Sequence, residues 1–589
     1  MSTIKIPKHL NRFVTFCKDG DEIPNELSSF VPQKPDLKGF PYPLPSAKSE
    51  YTCFANQGDI VWYGATTGLT RYDKNAKRDA DRIMYFSADR YLYDNNVLAI
   101  FVDGDKVWVK TETGVVCIEM IPMTAEEKAH YMTEETVKYV TRHGMISHKY
   151  LREARNLDSK LPYGECDNDG GFTAGHAIGE IYKYAYYRSE YGDNDPRTVK
   201  AKKLATDSVE VALLCMNITG RGNGFAARTF LTRDEPVPDG YFFKKQGDKA
   251  YCIASPATLR RGIAGMVIDA STPVPDRLAR HYRDEGYCDD DIIYKGDTSS
   301  DEITLHYMMM LNAYDFLVDD DDELRQIIVD TTQKLTEHIV DNEYRLIECD
   351  GKATLWAKWH EEYFTTPDGW ADACLNSAEL LMYLKVAEHI TGDERWIKEY
   401  DYLINERHYD DYMLLHKDRF YHASYVLGCD PCEEMMYGDN MLAIMSYWGL
   451  LRLEKDEARR EKFIKGLRTW DHTLLRETTP GYLFPLKSVY EDMPIDKEAT
   501  IDWFIRFNPS RLASGVTYDR ADVPIQPMLN GYKLTGWLLN QEERFIAKYD
   551  RDPLRFTKGE SDTRKVEGSY VYTMGYWIGK FYGIIDDEE

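Results

Sequence analysis

Helical segments of two contrasting kinds alternate along the chain from Thr124 onward, and few folds accommodate that alternation. Gly171–Tyr187, Ser300–Val318, Cys374–Ile390 and Gly438–Leu453 are apolar nearly all round, whereas Arg197–Met216, Asp320–Asp341, Glu394–Glu406 and Asp456–His472 are striped or charged. A helix apolar on every side must be buried, and a striped one lies between core and solvent. Succession of the two kinds predicts an inner ring of helices wrapped by an outer ring. That is an (α/α)6 toroid of six helical hairpins. Ile525–Tyr549 and Glu567–Ile585 each read as a further helix. Thr124-Ala-Glu-Glu127 is a capping-box pattern that opens the helical region. Joints are tight: Gly392 ends one helix and Asp393-Glu394 starts the next.

The N-terminal part has a different grammar. Pro32, Pro35, Pro41, Pro43 and Pro45 mark residues 1–47 as an extended segment. Gly58-Asp-Ile-Val-Trp62 and the following residues to Tyr72 match Gly104-Asp-Lys-Val-Trp108 and the residues to Ile118, an offset of 46. Each copy reads as strand, turn, strand, at the spacing of a propeller blade. Two copies fall short of the roughly four blades that close a propeller. The expectation is therefore a small β module over 48–123 with a structural role, docked on a toroid spanning 124–589.

Each inner-helix start shares a polar, glycine-bearing loop. These are Cys166-Asp-Asn-Asp-Gly-Gly171, Lys295-Gly-Asp-Thr-Ser-Ser300, Asp368-Gly-Trp-Ala-Asp372, Tyr437-Gly-Asp-Asn440 and Val566-Glu-Gly568. Helix capping explains single aspartates. It does not explain acid, glycine and tryptophan together at alternate helices only. Inner helices of a toroid run parallel, so these loops ring one funnel. The loop before Asp301 is the most elaborate, with Asp297, Asp301, Glu302 and His306 at one helix start. In the first turn, near the positive end of the dipole, Asp301 and Glu302 are expected to stay ionised.

A formal net charge of −26 argues against nucleic acid and anionic membranes as partners. No apolar run reaches 18 residues, and Met1–Leu10 has no apolar stretch of signal-peptide length. Eleven scattered cysteines fit reduced thiols. Together these lead to an expectation of a cytoplasmic protein that meets imported oligosaccharide. The 43 tyrosines and 11 tryptophans supply flat faces suited to sugar rings. The sequence leaves monomer and homo-oligomer open.

No cofactor motif is present, and the metal-like patterns are weak. Glu165-Cys-Asp167-Asn-Asp169-Gly170 mimics the start of an EF-hand, but its twelfth position is His176 rather than glutamate. Cys429-Asp-Pro-Cys432 has zinc-like spacing without a second Cys/His pair nearby. No metal is expected.

Arg142-His143-Gly144, Asp167-Asn-Asp-Gly170, Ala227-Arg-Thr-Phe230, Gly296-Asp-Thr-Ser-Ser-Asp-Glu302, Leu375-Asn-Ser377 and Tyr576-Trp-Ile-Gly-Lys-Phe-Tyr-Gly583 form a distinctive set. In combination they resemble a family of large bacterial proteins with two-component-regulator-propeller-like repeats ahead of a six-hairpin toroid. The resemblance implies a toroid of carbohydrate-active type. Glycoside hydrolases and polysaccharide lyases share that fold, so the reaction must come from the site.

Three functions follow. A glycoside hydrolase needs two carboxyls flanking the bond, and the expected pair is Asp301 or Glu302 with Asp169 or Asp439. A lyase acting on uronates needs an anion-neutralising group and a base. Arg142, Arg228 and Asn168 suit the first task, and His143, His306 and Tyr307 the second. A non-catalytic carbohydrate-binding protein needs only platforms, for which Trp356, Trp359 and Trp370 are candidates beside Asp297. Acidic loops outnumber basic ones, which favours hydrolysis.

Overall fold

The computed structural model describes residues 2–37, 50–88, 90–161, 167–367, 369–415, 437–470, 479–512, 525–527, 533–535 and 564–588. Six helices form an inner ring: Asp169–Tyr191, Ser300–Phe316, Ala373–Thr391, Tyr437–Leu453, Pro480–Val489 and Tyr570–Phe581. Each packs on the next, and the last closes on the first. Six more alternate with them in sequence: Ala125–Tyr139, Pro196–Asn217, Asp322–Asp341, Glu394–Asn405, Glu457–Arg468 and Lys497–Arg506. This is an (α/α)6 toroid.

The physical cause is the one legible in the sequence. The Asp169, Ser300 and Ala373 helices are buried along nearly their whole length. The outer Asp322 helix buries only one stripe, including Leu324, Ile328, Leu335 and Ile339. Small residues set the spacing within the ring. A Cβ on Gly175 would stand 2.8 Å from the Tyr570 ring, and one on Gly179 would stand 3.2 Å from the Met574 backbone. Both numbers rise together along the two helices, so these run parallel and their N-termini share one end. Among the described residues no helix is long and apolar enough to cross a membrane.

The helical region opens at the expected capping box. Thr124 Oγ1 accepts the Glu127 amide at 3.1 Å, and Glu127 Oε2 accepts the Thr124 amide at 2.8 Å. Thr124→Ala should lower stability by about 1 kcal/mol in chemical denaturation.

The N-terminal β module consists of two four-stranded antiparallel sheets. One is Tyr51–Gln57, Ile60–Ala65, Gly68–Asp73 and Ile83–Phe86; the other is Val97–Asp103, Lys106–Thr111, Val115–Met123 and His9–Phe16. The two copies of the repeat supply the central hairpins, and Trp62 is wholly buried between the sheets' apolar faces. The fourth strand of the second sheet comes from residues 9–16, and Ile4–Ile6 pairs in parallel with Ile585–Asp587. Residues 4–16 thus stitch the module to the toroid's last segment.

One helical expectation needs correction. Ile525–Pro527 and Lys533–Thr535 are paired antiparallel strands, not parts of one helix, and the rest of Ile525–Tyr549 lies outside the described residues. The fifth hairpin is instead Pro480–Val489 with Lys497–Arg506. An internal Pro485 and only ten residues of length hide its inner helix from a periodicity argument.

Two excursions crown the N-terminal end of the ring. A five-stranded sheet, including Phe230–Thr232 and Ile292–Lys295, fills the connection between the Pro196 and Ser300 helices. A hairpin of Arg345–Ile347 and Ala353–Lys358 precedes the Ala373 helix.

Candidate functional site

The funnel has three sectors. In the first, Arg142 is consumed by the protein. It sits on a short hairpin after the Ala125 helix and is buried. Its Nη2 donates to Asp169 at 3.0 Å and Thr229 Oγ1 at 2.7 Å; its Nη1 donates to the Phe230 carbonyl at 2.6 Å and to Glu235 at 3.2 Å. His143 lies between Glu235 at 3.0 Å and Glu285 at 2.5 Å. Burial alone would raise Glu235, but the hydrogen bond from His143 and the charge of Arg142 prevail and hold it down to about 2. Burial is also the largest influence on Asp169 and moves it upward despite Arg142. Asp169, Arg142 and His143 are therefore a buried strut that anchors the five-stranded sheet. Their polar atoms are thus engaged with protein partners rather than presented together to the funnel.

The second sector surrounds Arg228. Its Nη2 donates to Asn168 Oδ1 at 2.5 Å and its Nε to the Asp167 carbonyl. Asp297 lies 3.7 Å away and Glu302 3.8 Å away, so the buried cation faces two carboxyls. Lys295 pairs with Asp167. Cationic side chains thus meet the Asp167–Asp169 loop from three directions, Arg142, Arg228 and Lys295. Among the described residues no cluster suited to a metal ion is found; Cys429-Asp-Pro-Cys432 lies outside them.

Glu302 overturns the expectation that it stays ionised. Its side chain is fully buried, Oε2 accepts the Gly171 amide, and Oε1 has no hydrogen-bond partner among the described residues. Burial drives its pKa well above the ordinary carboxylate range, outweighing Arg228. A helix dipole contributes at most about 2 kcal/mol, less than the cost of stripping water from a carboxylate. His306 is also fully buried, 4.0 Å from Glu302, and burial lowers it to about 3. It is a poor base and out of a substrate's reach. A Cβ on Gly170 would stand 2.8 Å from Glu302 and 3.1 Å from His306, which explains the glycine there.

The third sector spans the Ser300, Ala373 and Tyr437 helices. Asp301 in the Ser300 helix and Asp439 in the Tyr437 helix are both half-buried in first turns. Ser299 caps the first of these helices, its Oγ 3.4 Å from the Asp301 amide. Between the two helices runs the Ala373 helix, and both aspartates act electrostatically on its Glu379. Glu379 is fully buried, and burial, reinforced by Asp301 and Asp439, pushes its carboxyl up to about 8.

The aromatic candidates separate. Trp359 is wholly buried, its Nε1 donating to Glu379 Oε2 at 2.8 Å, so it offers no face to a sugar. Tyr307 is buried too: it stacks on Tyr383 at 4.5 Å and its hydroxyl meets Thr336 of an outer helix at 2.7 Å. Trp356 is 65% exposed, and its carbonyl accepts the Ser300 hydroxyl at 3.0 Å, which puts it beside the first turn that carries Asp301. Trp370 is half-buried in the loop before the Ala373 helix.

Sequence reasoning misses Glu379 and Glu235. The signal for Glu379 is a single acid in the apolar stretch Ser377-Ala-Glu-Leu-Leu-Met382 of an inner helix. No comparable signal marks Glu235, which stands among other charged residues on a loop.

No family model matches the chain, and no curated protein does. Among solved structures it is similar to a family 9 endoglucanase called J30, at 10% identity and TM-score 0.37, covering 86% of this chain and 91% of that one. A thermostable endoglucanase from Alicyclobacillus acidocaldarius is similar at 12% identity and TM-score 0.36, with 89% and 96% covered. Bacteroides ovatus GH9 is similar at 9% identity and TM-score 0.34, with 91% and 96% covered.

Proposed function

We propose that this chain is a glycoside hydrolase that cleaves oligosaccharides at the N-terminal ends of its inner helices. The observation that carries this reading is the third sector. Asp301 and Asp439 stand half-buried in the first turns of two inner helices, and both act on Glu379, buried in the helix between them. Burial, reinforced by the two aspartates, raises the Glu379 carboxyl to about 8. Hydrolysis of a glycosidic bond asks for that pairing: one carboxylic acid protonates the leaving oxygen while a carboxylate activates water or attacks the sugar. Asp301 and Asp439 divide these roles.

The lyase alternative loses its parts. Arg142 and His143 are held by Asp169, Glu235 and Glu285, and His306 and Tyr307 are buried. Arg228 is buried, and its guanidinium is taken up by Asn168, the Asp167 carbonyl and Asp297.

Trp356 serves as a sugar platform. Trp356→Ala should raise KM roughly fivefold, from about 1 kcal/mol of lost ring stacking, and leave thermal stability within about 0.5 kcal/mol, since the side chain is exposed. Screening a panel of neutral and acidic oligosaccharides tests the function itself. New reducing ends without an unsaturated uronate are expected. An unsaturated product would replace this reading by the lyase, and no turnover on any glycan would replace it by a binding protein.

A further inference from the structure

The two excursions that crown the ring meet at one cation. Arg261 ends a short helix, Pro256–Arg261, in the connection that carries the five-stranded sheet. Its place is fixed from both ends of that helix. Ser255 and Thr258 form a capping box, and Gly262 closes the last turn at φ 74°, a left-handed conformation suited to glycine. From there the guanidinium reaches the tip of the other excursion, the hairpin that presents Trp356. Its Nε donates to Asp350 Oδ2 at 2.6 Å and its Nη2 to Glu348 Oε2 at 2.5 Å. It also lies over the Tyr241 ring, 4.5 Å from the centroid.

The three charged side chains are largely withdrawn from water: Arg261 is 19% exposed, Glu348 7% and Asp350 2%. Lys352 approaches Asp350 only to 4.0 Å and is itself 64% exposed. Other side-chain ties of the hairpin run to the ring and its first turns. Thr354 donates to the Thr298 carbonyl, Ser300 to the Trp356 carbonyl, Asn376 to the Lys358 carbonyl and Trp359 to Glu379. At the tip, the Cys349 amide donates to the Gly296 carbonyl at 2.9 Å, and Arg261 supplies the cation. Removing one partner of a buried ion pair leaves the other charge stranded. Here it would leave two carboxylates in one turn, repelling each other and drawn toward water. The strand that follows that turn carries Trp356, whose exposed ring is oriented by the strand beneath it.

We propose that Arg261 is a positioning residue for sugar binding: it clamps the hairpin tip to the five-stranded excursion and so holds Trp356 beside the first turn that carries Asp301. This rests on the reading of Trp356 as a sugar platform, whereas the clamp itself is a claim about structure. A platform held in place before the sugar arrives binds with less loss of freedom. Asp301 and Asp439 stand on ring helices that Arg261 does not touch, so the clamp serves affinity rather than chemistry.

The test uses two measurements on the full-length protein. Backbone hydrogen exchange, followed by mass spectrometry, reads the clamp without any ligand. In Arg261→Met, exchange across residues 345–358 should quicken about tenfold or more, while the Ser300–Phe316 helix keeps its wild-type protection. Affinity for the oligosaccharide panel is measured by calorimetry in the Asp301→Asn background, so that it does not depend on turnover. Arg261→Met should weaken it about fivefold, the loss expected of Trp356→Ala, and should add nothing once Trp356→Ala is present. In the active protein KM should rise by the same factor, with kcat held within about twofold. Arg261→Lys, with one ammonium for two carboxylates, should fall between wild type and Arg261→Met. Unchanged exchange in the hairpin overturns the clamp, whether or not a glycan is hydrolysed. Faster exchange with unaltered affinity, an equal loss of affinity in the Trp356→Ala background, or no binding of any glycan overturns the positioning role. Exchange and affinity that change as described, in a protein that hydrolyses no glycan, uphold Arg261 and sink the hydrolase reading. Should Arg261→Met fail to fold, Arg261→Lys and Asp350→Asn carry the same comparison, each removing one arm of the fork.

Discussion

Arg142→Ala should lower the stability of the protein by about 3–5 kcal/mol, the range for removing one partner of a buried ion pair. The guanidinium serves two buried carboxylates and two neutral acceptors at once. Without it, Asp169 keeps only the Thr229 hydroxyl, 2.7 Å from Oδ2, and Glu235 keeps His143 and the Thr232 amide. The lost contacts matter less than the negative charge left behind in a site that water does not reach. Lysine retains the charge but not the fork, so Arg142→Lys should recover only part of the loss. Urea unfolding monitored by circular dichroism measures this directly. A midpoint equal to that of the wild type would mean that the strut is not a strut and that Arg142 is available to a ligand.

The second large effect concerns chemistry rather than stability. Asp301→Asn and Asp439→Asn should each reduce kcat by at least about 10²-fold, the usual worth of an acid or base that moves a proton in the transition state. Both side chains are half-buried at helix starts, and neither substitution empties a cavity or strands a buried charge. Their unfolding transitions should therefore stay close to the wild type. Glu302→Gln supplies the contrast. Glu302 is buried with its carboxyl raised well above the usual range, so glutamine imitates its neutral form and activity should fall far less. Equal losses in Asp301→Asn and Glu302→Gln would move the chemistry to the second sector, around Arg228.

The contrast between Asp301 and Glu302 shows where the sequence is and is not informative. The toroid was readable because burial of a whole helix leaves a compositional trace: Leu305, Met308, Met309 and Leu311 can only be interior. The inner-helix loops are readable for a similar reason, since acid and glycine recur together at alternate helices. What a loop's acids do is a matter of depth. Asp301 and Glu302 are neighbours in sequence, yet one is half-buried and the other has no exposed surface. A difference of one residue on a helix rotates a side chain by about 100°, from the funnel to the packing seam against Gly171. Trp356 and Trp359 part in the same way: three residues apart, one stands in solvent and the other caps a buried acid.

Partners explain the rest. Arg142 and His143 carry the residue types that a uronate site needs, and nothing in their local sequence reveals that Glu235 and Glu285 meet them from an excursion about 90 and 140 residues later. The fifth hairpin leaves little periodic trace in the sequence, because its inner helix is short and contains Pro485.

The most direct test of a hydrolytic carboxylate site is the fate of water oxygen. The oligosaccharide panel is incubated with the protein in heavy-oxygen water, and the products are weighed by mass spectrometry. Wild type should release fragments that carry one heavy oxygen per cleaved bond at the new reducing end, and both Asp301→Asn and Asp439→Asn should release almost none. Cleavage without incorporation of heavy oxygen, or full incorporation by both aspartate variants, would contradict the account.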